Sequence, residues 1–447
     1  MKIVLVGSDH AGIAAAKMIL TNPENELVVM DKSSHISYVG AGTALWVGQK
    51  VENSDDLFYT NPDALAALGA KMLMETTVTS VDYANKVVHA EGKNGEKFEE
   101  SYDKLVLATG SLPIAPNLPG KDLKGIHFLK AFEEGREVEA AMADPKVKRV
   151  GIIGAGYIGV EIAEGIRLRG KEVVMFDAEP HSLMNYYDEE FATAMDENLI
   201  GNGLELQFGQ LAEGYIGNEE GHVAGIKTSG GEYAVDLVIN CIGFRPNADL
   251  GGEHIEKFVN GAYLVDRKQV TSDPDVYAIG DCATVFSTAQ GKTGYIALAS
   301  NAVRSGLIAG ANLAGKDIES PGVQGSNGIS IFGLNMVSTG ISVRAAKRFG
   351  VEVEYVDYED TQIEESIKDH ENGSVKLRIV WEKESRRIVG AQFVSKLNIS
   401  SVIHMFSLAV EQNYTIDQLA LLDIFYLPHF NKVTNYITQA ALKAISQ

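Results

Sequence analysis

A glycine-rich turn between a short apolar strand and a helix occurs twice in this chain, and it restricts the possible folds more than any other feature. The second copy is the more regular one: the strand KRVGII runs into GAGYIG, a helical stretch follows, and a second strand ends in Asp177. In this GxGxxG pattern Gly154 permits the tight turn, Gly156 lets backbone approach a pyrophosphate, and Gly159 lets the helix pack on the strand. Because a helix N-terminus attracts anions, the pattern predicts a dinucleotide-binding βαβ unit.

Asp177 predicts which dinucleotide is bound. An acidic side chain at the end of the second strand, about 20 residues after the first glycine, accepts hydrogen bonds from a ribose 2′-hydroxyl and repels a 2′-phosphate. We therefore expect NADH rather than NADPH. Gly243, which follows a later strand of the same unit, is assigned to this site as well. A glycine-rich turn without a ligand is the plain alternative, but it does not explain the acid.

The first copy opens the chain and is less regular. The strand KIVLV leads into GSDHAG, residues 7–12, which lacks the middle glycine, and a helix is expected over residues 11–20. A second strand, over residues 26–30, is followed by Asp31, so that an acid again stands at a strand end. The residues assigned to this second nucleotide site are Gly7, Gly12, Asp31 and Lys32.

The chain is too long for a single hydrophobic core, because cores stop growing at roughly 250–300 residues. Its 447 residues are therefore expected to form two or three domains. From about residue 321 the sequence changes to GISIFGLNMVSTG, VKLRIVW and RIVGAQFVS, which are typical of antiparallel strands, and helices are expected from Ser400 onward. This part is predicted to be a separate α+β domain.

Charge and hydropathy argue against several classes of partner. The chain has 39 Lys and Arg against 60 Asp and Glu, a net charge of −21, so long-range attraction does not draw it to nucleic acid or an anionic membrane. No apolar run approaches membrane-spanning length and the N-terminus lacks a secretory pattern, so we expect a cytoplasmic protein. Cys241 and Cys282 form neither a CxxC pair nor a disulfide framework and are predicted to be buried thiols. No metal site is expected.

Two later segments indicate the class of protein to which the glycine loops belong. LATGS, residues 107–111, and VYAIGDCA, residues 276–283, resemble the paired returning segments of flavoproteins with two dinucleotide sites. With both loops in chain order, the chain resembles the FAD/NAD-linked disulfide-reductase-like family. This resemblance implies FAD in the first site and NADH in the second. It also implies that Thr109 and Gly110 contact the FAD and that Asp281 hydrogen-bonds to the flavin ribitol.

The same resemblance implies the order of the domains, because the family inserts its NAD unit into the FAD domain. Residues 1–112 and 248–320 would then form the FAD-binding domain, residues 113–247 the NAD-binding domain, and residues 321–447 an interface domain. The predicted fold class is therefore α/β, with two Rossmann-like dinucleotide-binding domains and a C-terminal α+β domain.

The resemblance narrows to one branch of this family. YIALASNAVRSG, GVQGSNGIS and LPHFNK, together with GAGYIG, are similar to the NADH oxidase and NADH peroxidase branch, especially to water-forming NADH oxidases of lactic acid bacteria. The similarity implies a homodimer that oxidises NADH with molecular oxygen. It assigns roles to His10 and Arg304 at the redox centre, Tyr157 as an aromatic gate over the flavin, Ala299 at a helix start beside the flavin, and Phe425 and His429 near the partner's flavin. By themselves these residues are also compatible with a turn histidine, a solvated arginine and packed aromatic side chains.

One position departs from the branch. Its members carry a redox cysteine in a segment similar to SFLSCG or SYLGCG, and the corresponding segment here, SYVGAG, has Ala41 in its place. An alanine methyl group can neither attack peroxide nor store two electrons, so we expect hydrogen peroxide rather than water as the main product. The neighbouring Gly40 and Gly42 are expected to leave space for the flavin ring. The sequence favours a substituted variant over a natural alanine without deciding between them.

Two alternative functions stay open. Flavin-dependent reductases that pass electrons to ferredoxin, rubredoxin or a quinone also lack this cysteine. A flavoprotein that reports the NADH level to a partner is a non-catalytic alternative. Stimulation by a carrier would favour the first, whereas flavin bleaching without steady consumption of NADH would favour the second.

Overall fold

The computed structural model describes residues 1–368 and 371–446. Its main architecture comprises two parallel sheets with helices packed against them and one antiparallel sheet built from the C-terminal part of the chain. The predicted fold class, α/β with two dinucleotide-binding units and a C-terminal α+β unit, is confirmed. The predicted domain boundaries stay predictions.

The first parallel sheet joins strands that are far apart in the chain. In spatial order they are Val276–Ala278, Lys104–Leu107, Lys2–Val6, Glu26–Met30 and Ala70–Leu73. The KIVLV strand is buried over nearly its whole length, as expected when both faces of a parallel sheet are covered. The helices of this unit are His10–Ile19, Thr43–Val47, Pro62–Ala67 and Ala299–Leu313, and an antiparallel ribbon is formed by Thr76–Asp82, Val87–Gly92 and Lys97–Ser101. The first helix thus begins one residue earlier than predicted.

The second parallel sheet repeats this plan. In spatial order its strands are Glu205–Phe208, Glu172–Asp177, Arg149–Ile153, Leu237–Asn240 and Ile126–His127. Its helices are Phe132–Ala143, Tyr157–Leu168 and Glu189–Gly201, and its antiparallel ribbon is Ala212–Gly217, Val223–Thr228 and Gly231–Ala234. The helix predicted over residues 160–168 begins earlier, at Tyr157, because Gly156 takes the extended backbone of an N-cap. The two parallel-sheet units are joined where Ser111–Pro113 pairs with Phe244–Pro246.

The third sheet is antiparallel, as predicted. In spatial order its strands are Asn327–Ile331, Leu334–Gly340, Ile388–Ser395, Ser374–Glu382 and Val353–Thr361. Its helices are Val343–Phe349, Val402–Glu411, Ile416–Ala420 and Tyr436–Ile445. The guanidinium of Arg378, buried in this sheet, lies 3.2 Å from the carboxylate of Asp188, which precedes a helix of the second unit. This buried ion pair fixes the third sheet against the second unit.

Short elements complete the chain: a ribbon of Val285–Ser287 with Lys292–Gly294, and 3₁₀ turns at Gly40–Gly42, Ser54–Leu57, Asp249–Gly251 and Gly280–Cys282. In residues 1–368 and 371–446, no helix combines the length and the apolar character needed to cross a membrane.

Candidate active site

One large cavity, of about 1750 Å³, is lined by residues of all three sheet units. Most of the residues predicted for the two nucleotide sites and the redox centre line it together. They are Gly7, His10, Asp31, Lys32, Ala41, Thr109, Gly110, Gly154, Gly156, Tyr157, Asp177, Gly243, Asp281 and Ala299. Five others lie outside its lining: Gly12, Gly159, Arg304, Phe425 and His429. Segments that are separated by hundreds of residues therefore meet at one site.

The acid of the first unit holds the glycine loop in place. One carboxylate oxygen of Asp31 accepts hydrogen bonds from the backbone N–H and the hydroxyl of Ser8, each at 2.7 Å. Gly7 has φ = 97°, and a Cβ added to it would lie 2.3 Å from the carbonyl oxygen of Ala108. Only glycine fits this turn, which brings the loop next to the strand that precedes Thr109.

The acid of the second unit, Asp177, holds its own glycine loop in the same way. One carboxylate oxygen of Asp177 accepts a hydrogen bond from the backbone N–H of Ala155 at 2.6 Å, and the other accepts one from Glu179 N–H at 2.8 Å. Gly154 also has a positive φ, of 105°. The two units therefore share one local geometry, although only the second has the full GxGxxG pattern.

Two predicted glycines have a packing role behind the loops. A Cβ at Gly12 would lie 2.1 Å from the carbonyl oxygen of Gly7, and a Cβ at Gly159 would lie 1.9 Å from that of Gly154. This is the role expected of the third glycine, which brings the helix close to the turn. It also explains why neither residue lines the cavity.

Ala41 lies in the 3₁₀ turn that precedes the helix Thr43–Val47, and its side chain is exposed at the cavity wall. Gly40 lines the cavity beside it, as expected. The expectation for Gly42 is wrong: this glycine is buried, and a Cβ there would lie 2.6 Å from a methyl carbon of Leu57. Its small size makes room for the packing of Leu57 and not for a ligand.

His10 begins the first helix and faces the cavity. Its Nδ1 is 3.1 Å from the hydroxyl of Tyr59, and the two rings are stacked with their centroids 5.6 Å apart. Arg304 is exposed, and its guanidinium donates hydrogen bonds to the carbonyl oxygen of Ser300 at 3.0 Å and to the side chain of Asn301 at 3.4 Å. In the described part of the chain no hydrogen bond joins His10 to Arg304, and their shared role at the redox centre stays a prediction.

The half-buried side chain of Tyr157 is held by its hydroxyl group. The hydroxyl donates a hydrogen bond to the side-chain oxygen of Asn327, in the third sheet, and lies 2.9 Å from the hydroxyl of Tyr187. The ring of Tyr186 packs on the ring of Tyr157 at 4.4 Å between centroids. Burial raises the pKa of the Tyr157 phenol well above its ordinary value.

Glu161 also lines the cavity, and sequence reasoning missed it. Burial and, to a smaller extent, the charge of Glu164 raise the pKa of its carboxyl group to about 7. Its spacing in the sequence could have identified it, because Glu161 is four positions after Tyr157 and the two residues lie on the same face of one helix. A carboxyl group with such a pKa can hold or release a proton near neutral pH.

Lys130 was missed as well. Its ammonium group lies 3.3 Å from the carboxylate of Asp281, which also accepts a hydrogen bond from the hydroxyl of Ser111 at 2.8 Å. The same ammonium group lies 4.6 Å from the centre of the Phe244 ring. Nothing in the sequence around Lys130 signals this contact, because its two partners, Asp281 and Phe244, come from distant segments.

Neither cysteine is activated. Cys241 is only half-buried and lines the cavity, so the predicted buried position is wrong for this residue, although the loss of solvent around its thiol still raises the thiol's pKa to about 12. The thiol of Cys282, in the core of the first unit, has its pKa raised by burial too, and it donates hydrogen bonds to the carbonyl oxygens of Leu107 and Ile279 at 3.3 and 3.2 Å. A thiol with a raised pKa is a poor nucleophile at neutral pH.

The aromatic segment near the C-terminus is exposed. Phe425 is 64% and Phe430 57% accessible, and His429 is exposed between them. The alternative interpretation, that these aromatic side chains pack in the hydrophobic core, is therefore wrong. Leu421 and Val433, which are 85% and 73% accessible, lie in the same segment of the chain.

The fold and the paired nucleotide loops define a class of protein, and comparison with known proteins agrees. The family model of the pyridine nucleotide-disulphide oxidoreductases matches residues 1–306, and the model of that family's dimerisation domain matches residues 328–436. The chain belongs to the pyridine nucleotide-disulphide oxidoreductase family and is an oxidoreductase.

Individual relatives narrow the comparison. The chain is 57% identical to an NADH oxidase of Lactococcus lactis, over 99% of this chain and 100% of that protein, and 48% identical to an NADH oxidase of Streptococcus pyogenes, over 99% of each. A solved structure of the water-forming NADH oxidase from Lactobacillus brevis bound to NADH has a TM-score of 0.96 and 34% identity, covering 100% of this chain and 98% of that one. The predicted resemblance to NADH oxidases is confirmed.

Proposed function

We propose that this protein is an FAD-dependent NADH oxidase that reduces molecular oxygen and releases hydrogen peroxide as its main product. The observation that carries the proposal is the exposure of Ala41, at the position of the expected sulfur, in the cavity that both nucleotide loops share. The relatives at 57% and 48% identity are NADH oxidases, which supports NADH as electron donor and oxygen as acceptor.

FAD and NADH are the two cofactors, and the residues present fit both. A Cβ at Gly156 would have no heavy atom within 4 Å, and the same holds at Gly110, so the backbone is open to a ligand at both positions. An approaching pyrophosphate would meet the N–H groups at the start of the helix Tyr157–Leu168. The residues that would hold FAD are Gly7, Asp31, Lys32, Thr109, Gly110 and Asp281, and those that would hold NADH are Gly154, Gly156, Asp177 and Gly243.

When bound, FAD accepts a hydride from NADH and passes two electrons to dioxygen, so that NADH, O₂ and one proton give NAD⁺ and H₂O₂. The protein positions the reactants and stabilises charge. Residues at the start of the helix Ala299–Leu313 line the cavity, where the backbone N–H groups and the helix dipole stabilise negative charge. Lys130 places a further positive charge in the cavity lining, and Tyr157 would cover the flavin until the nicotinamide displaces it.

Reduction of oxygen to water requires a second electron pair, which a redox thiolate in this branch takes from a second NADH. The Ala41 methyl group has no such chemistry. Cys241 and Cys282 do not replace it, because burial raises the pKa of both thiols. Peroxide therefore leaves the site before its O–O bond is reduced.

The stoichiometry of the reaction tests this proposal. We expect one molecule of peroxide for each NADH consumed in air, measured by a peroxidase-coupled assay in parallel with NADH absorbance. Two NADH consumed per O₂ without peroxide would contradict the predicted product. Strong stimulation by ferredoxin, rubredoxin or a quinone, with slow turnover on oxygen, would instead support the carrier reductase.

We further propose that the protein is a homodimer. The match of residues 328–436 to a dimerisation domain supports this, as does the exposed apolar segment around Phe425 and Phe430. Exposed apolar side chains in one segment are typical of a subunit interface. Phe425 and His429 would then reach the partner's flavin site.

A further inference from the structure

We propose that Arg348 and Lys292 form a cationic entrance that draws NADH, an anionic substrate, into the cavity. The inference rests on the proposed oxidation of NADH and adds the residues that control how fast NADH arrives. It concerns the approach of the substrate from solution, so neither residue is assigned a contact with NADH once it is bound.

The cavity repels its substrate at long range. NADH carries two phosphate charges, whereas the protein has a net charge of −21. Among the described residues that line the cavity, carboxylate side chains outnumber those of Lys and Arg by seven to three. Like charges slow the approach of a ligand within about one Debye length, roughly 10 Å at 0.1 M salt. A local positive region where NADH enters would offset this repulsion.

Arg348 is the one cation of the described cavity lining that stays available to a ligand in solution. The three are Lys32, Lys130 and Arg348. Lys130 lies 3.3 Å from the carboxylate of Asp281, and Lys32 is proposed to hold FAD. Arg348 is exposed, and in residues 1–368 and 371–446 no carboxylate lies within ion-pair distance of its guanidinium group. Its charge is therefore not neutralised by a neighbour.

One face of the short helix that ends at Phe349 borders the cavity. Ser342, Ala345, Arg348 and Phe349 all line the cavity, and they follow one another at the spacing of three or four residues that places side chains on one helix face. Lys347, which is also exposed, lies outside the lining. The helix thus directs one of its two last cations toward the cavity.

The first cation of this helix, Arg344, is already occupied. One of its guanidinium nitrogens lies 2.8 and 2.9 Å from the two carboxylate oxygens of Glu179. An ion pair of this kind cancels most of the field that a distant ligand experiences. Arg344 therefore contributes little to attraction from solution, in contrast to Arg348.

Lys292 adds a second cation from another segment of the chain. It begins the strand Lys292–Gly294, and its ammonium nitrogen lies 5.8 Å from the centre of the Phe349 ring. The guanidinium carbon of Arg348 lies 4.9 Å from the same centre. An aromatic ring attracts cations, so Phe349 holds both charges close together. Lys292 is exposed and, like Arg348, has no carboxylate within ion-pair distance in the described part of the chain.

Both charges act at long range, and this determines which kinetic constant changes. A cation at an entrance raises the rate at which an anion arrives, and it leaves the later transfer of hydride unchanged. The effect becomes smaller as salt is added, because salt screens charges that face solvent. A change in the packing of the cavity would not depend on salt in this way.

Stopped-flow reduction of the flavin-loaded enzyme, without oxygen, separates arrival from hydride transfer. We expect Lys292→Gln with Arg348→Gln to lower the second-order rate constant for reduction by NADH about fivefold to tenfold at an ionic strength of about 10 mM, and less than about twofold at about 0.5 M. The limiting rate at saturating NADH should not change. Titration calorimetry with ADP-ribose, which keeps both phosphates and lacks the nicotinamide, should show weaker binding by about threefold or more at the low ionic strength.

Three controls assign the effect to charge at this place. Lys316→Gln with Lys383→Gln removes two exposed positive charges outside the cavity lining and should be reduced by NADH like the unchanged enzyme. Lys292→Arg with Arg348→Lys keeps both charges and should also behave like the unchanged enzyme. N-benzyl-1,4-dihydronicotinamide, an uncharged electron donor, should reduce all four proteins at the same rate.

The outcomes separate this inference from the proposed function. If NADH reduces the unchanged enzyme and the Lys292→Gln, Arg348→Gln variant equally fast at low salt, or if the deficit persists at high salt, the entrance is wrong and the proposed function stands. An equal deficit in the Lys316→Gln, Lys383→Gln variant would assign the effect to the net charge of the whole protein and would also overturn the entrance. If only the uncharged donor reduces the unchanged enzyme, the NADH site fails and this inference fails with it.

Discussion

The hydroxyl of Tyr157, at the start of a helix in the second unit, donates a hydrogen bond to the side-chain oxygen of Asn327 in the third sheet. Ser338 donates to the same oxygen at 3.0 Å, and Tyr187 lies 2.9 Å from the tyrosine hydroxyl. The ring proposed to move aside for the nicotinamide is therefore attached to another unit of the protein. Its movement requires these hydrogen bonds to break.

Loosening this attachment should ease entry of NADH. We expect Asn327→Ala to lower the KM for NADH about threefold to tenfold, because one hydrogen bond of about 1 kcal/mol no longer holds the closed ring. Tyr157→Phe, which keeps the ring and loses the hydroxyl, should act in the same direction. Steady-state kinetics and the rate of anaerobic flavin reduction measure the effect. Ser326→Ala is the control, since Ser326 bonds to Thr339 and not to the tyrosine; equal KM values in all four proteins would contradict the role of the attachment.

Restoring the sulfur should restore electron storage. We expect Ala41→Cys to take up one more electron pair than the unchanged protein in an anaerobic titration with NADH, because a thiol beside the flavin adds a second redox group. In air, the variant should release less peroxide per NADH. Cys282→Ala in the unchanged protein is the control and should leave the titration end point where it is. A variant that takes up no additional electrons would show that residue 41 is not at the redox centre.

Glu161 should make stability depend on pH. Between pH 4.5 and about 7 the folded protein keeps a proton that the unfolded chain has lost, so this group lowers the free energy of unfolding as pH rises through that range. We expect Glu161→Gln to stabilise the protein at pH 8 by on the order of 1–3 kcal/mol, and to have little effect about one unit below pH 4.5, where the carboxyl group is protonated in both the folded and the unfolded protein. Denaturant unfolding at the two pH values measures this difference. An equal gain in the free energy of unfolding at the two pH values would contradict the raised pKa of Glu161.

The exposed C-terminal segment should hold the dimer together. Val433 is 73% exposed, and we expect Val433→Asp to shift the protein from dimer to monomer, because a charge buried in an apolar interface lacks a partner. Sedimentation velocity measures the change. Val259, which is 94% exposed in another unit, provides the matched control: Val259→Asp should remain dimeric. A dimeric Val433→Asp protein would place the interface elsewhere.

Local sequence patterns predicted much of the fold. Strand and helix formation depends on apolar periodicity over a few residues, and both βαβ units follow from it. The tight turns at Gly7 and Gly154 need a positive φ, which glycine adopts without strain. The residue type at these positions therefore predicts the turns. The acids at the two strand ends, Asp31 and Asp177, were found for the same reason, because their spacing from the turn is set by one helix and one strand.

The contacts between units were not predictable in this way. Lys130 meets Asp281 across 151 residues of the chain, and Arg344 meets Glu179 across 165. Arg304 makes its hydrogen bonds within its own helix. Such pairs depend on how the three sheets pack, which local periodicity does not encode.

The sequence by itself determined the two nucleotide loops, their acids and the alanine at position 41, because each is a matter of residue type and short spacing. Only the tertiary structure decided that the loops share one cavity, that Tyr157 is tied to Asn327, and that Glu161 titrates near neutral pH. Burial and long-range contact set these properties, and both arise only when distant segments pack together.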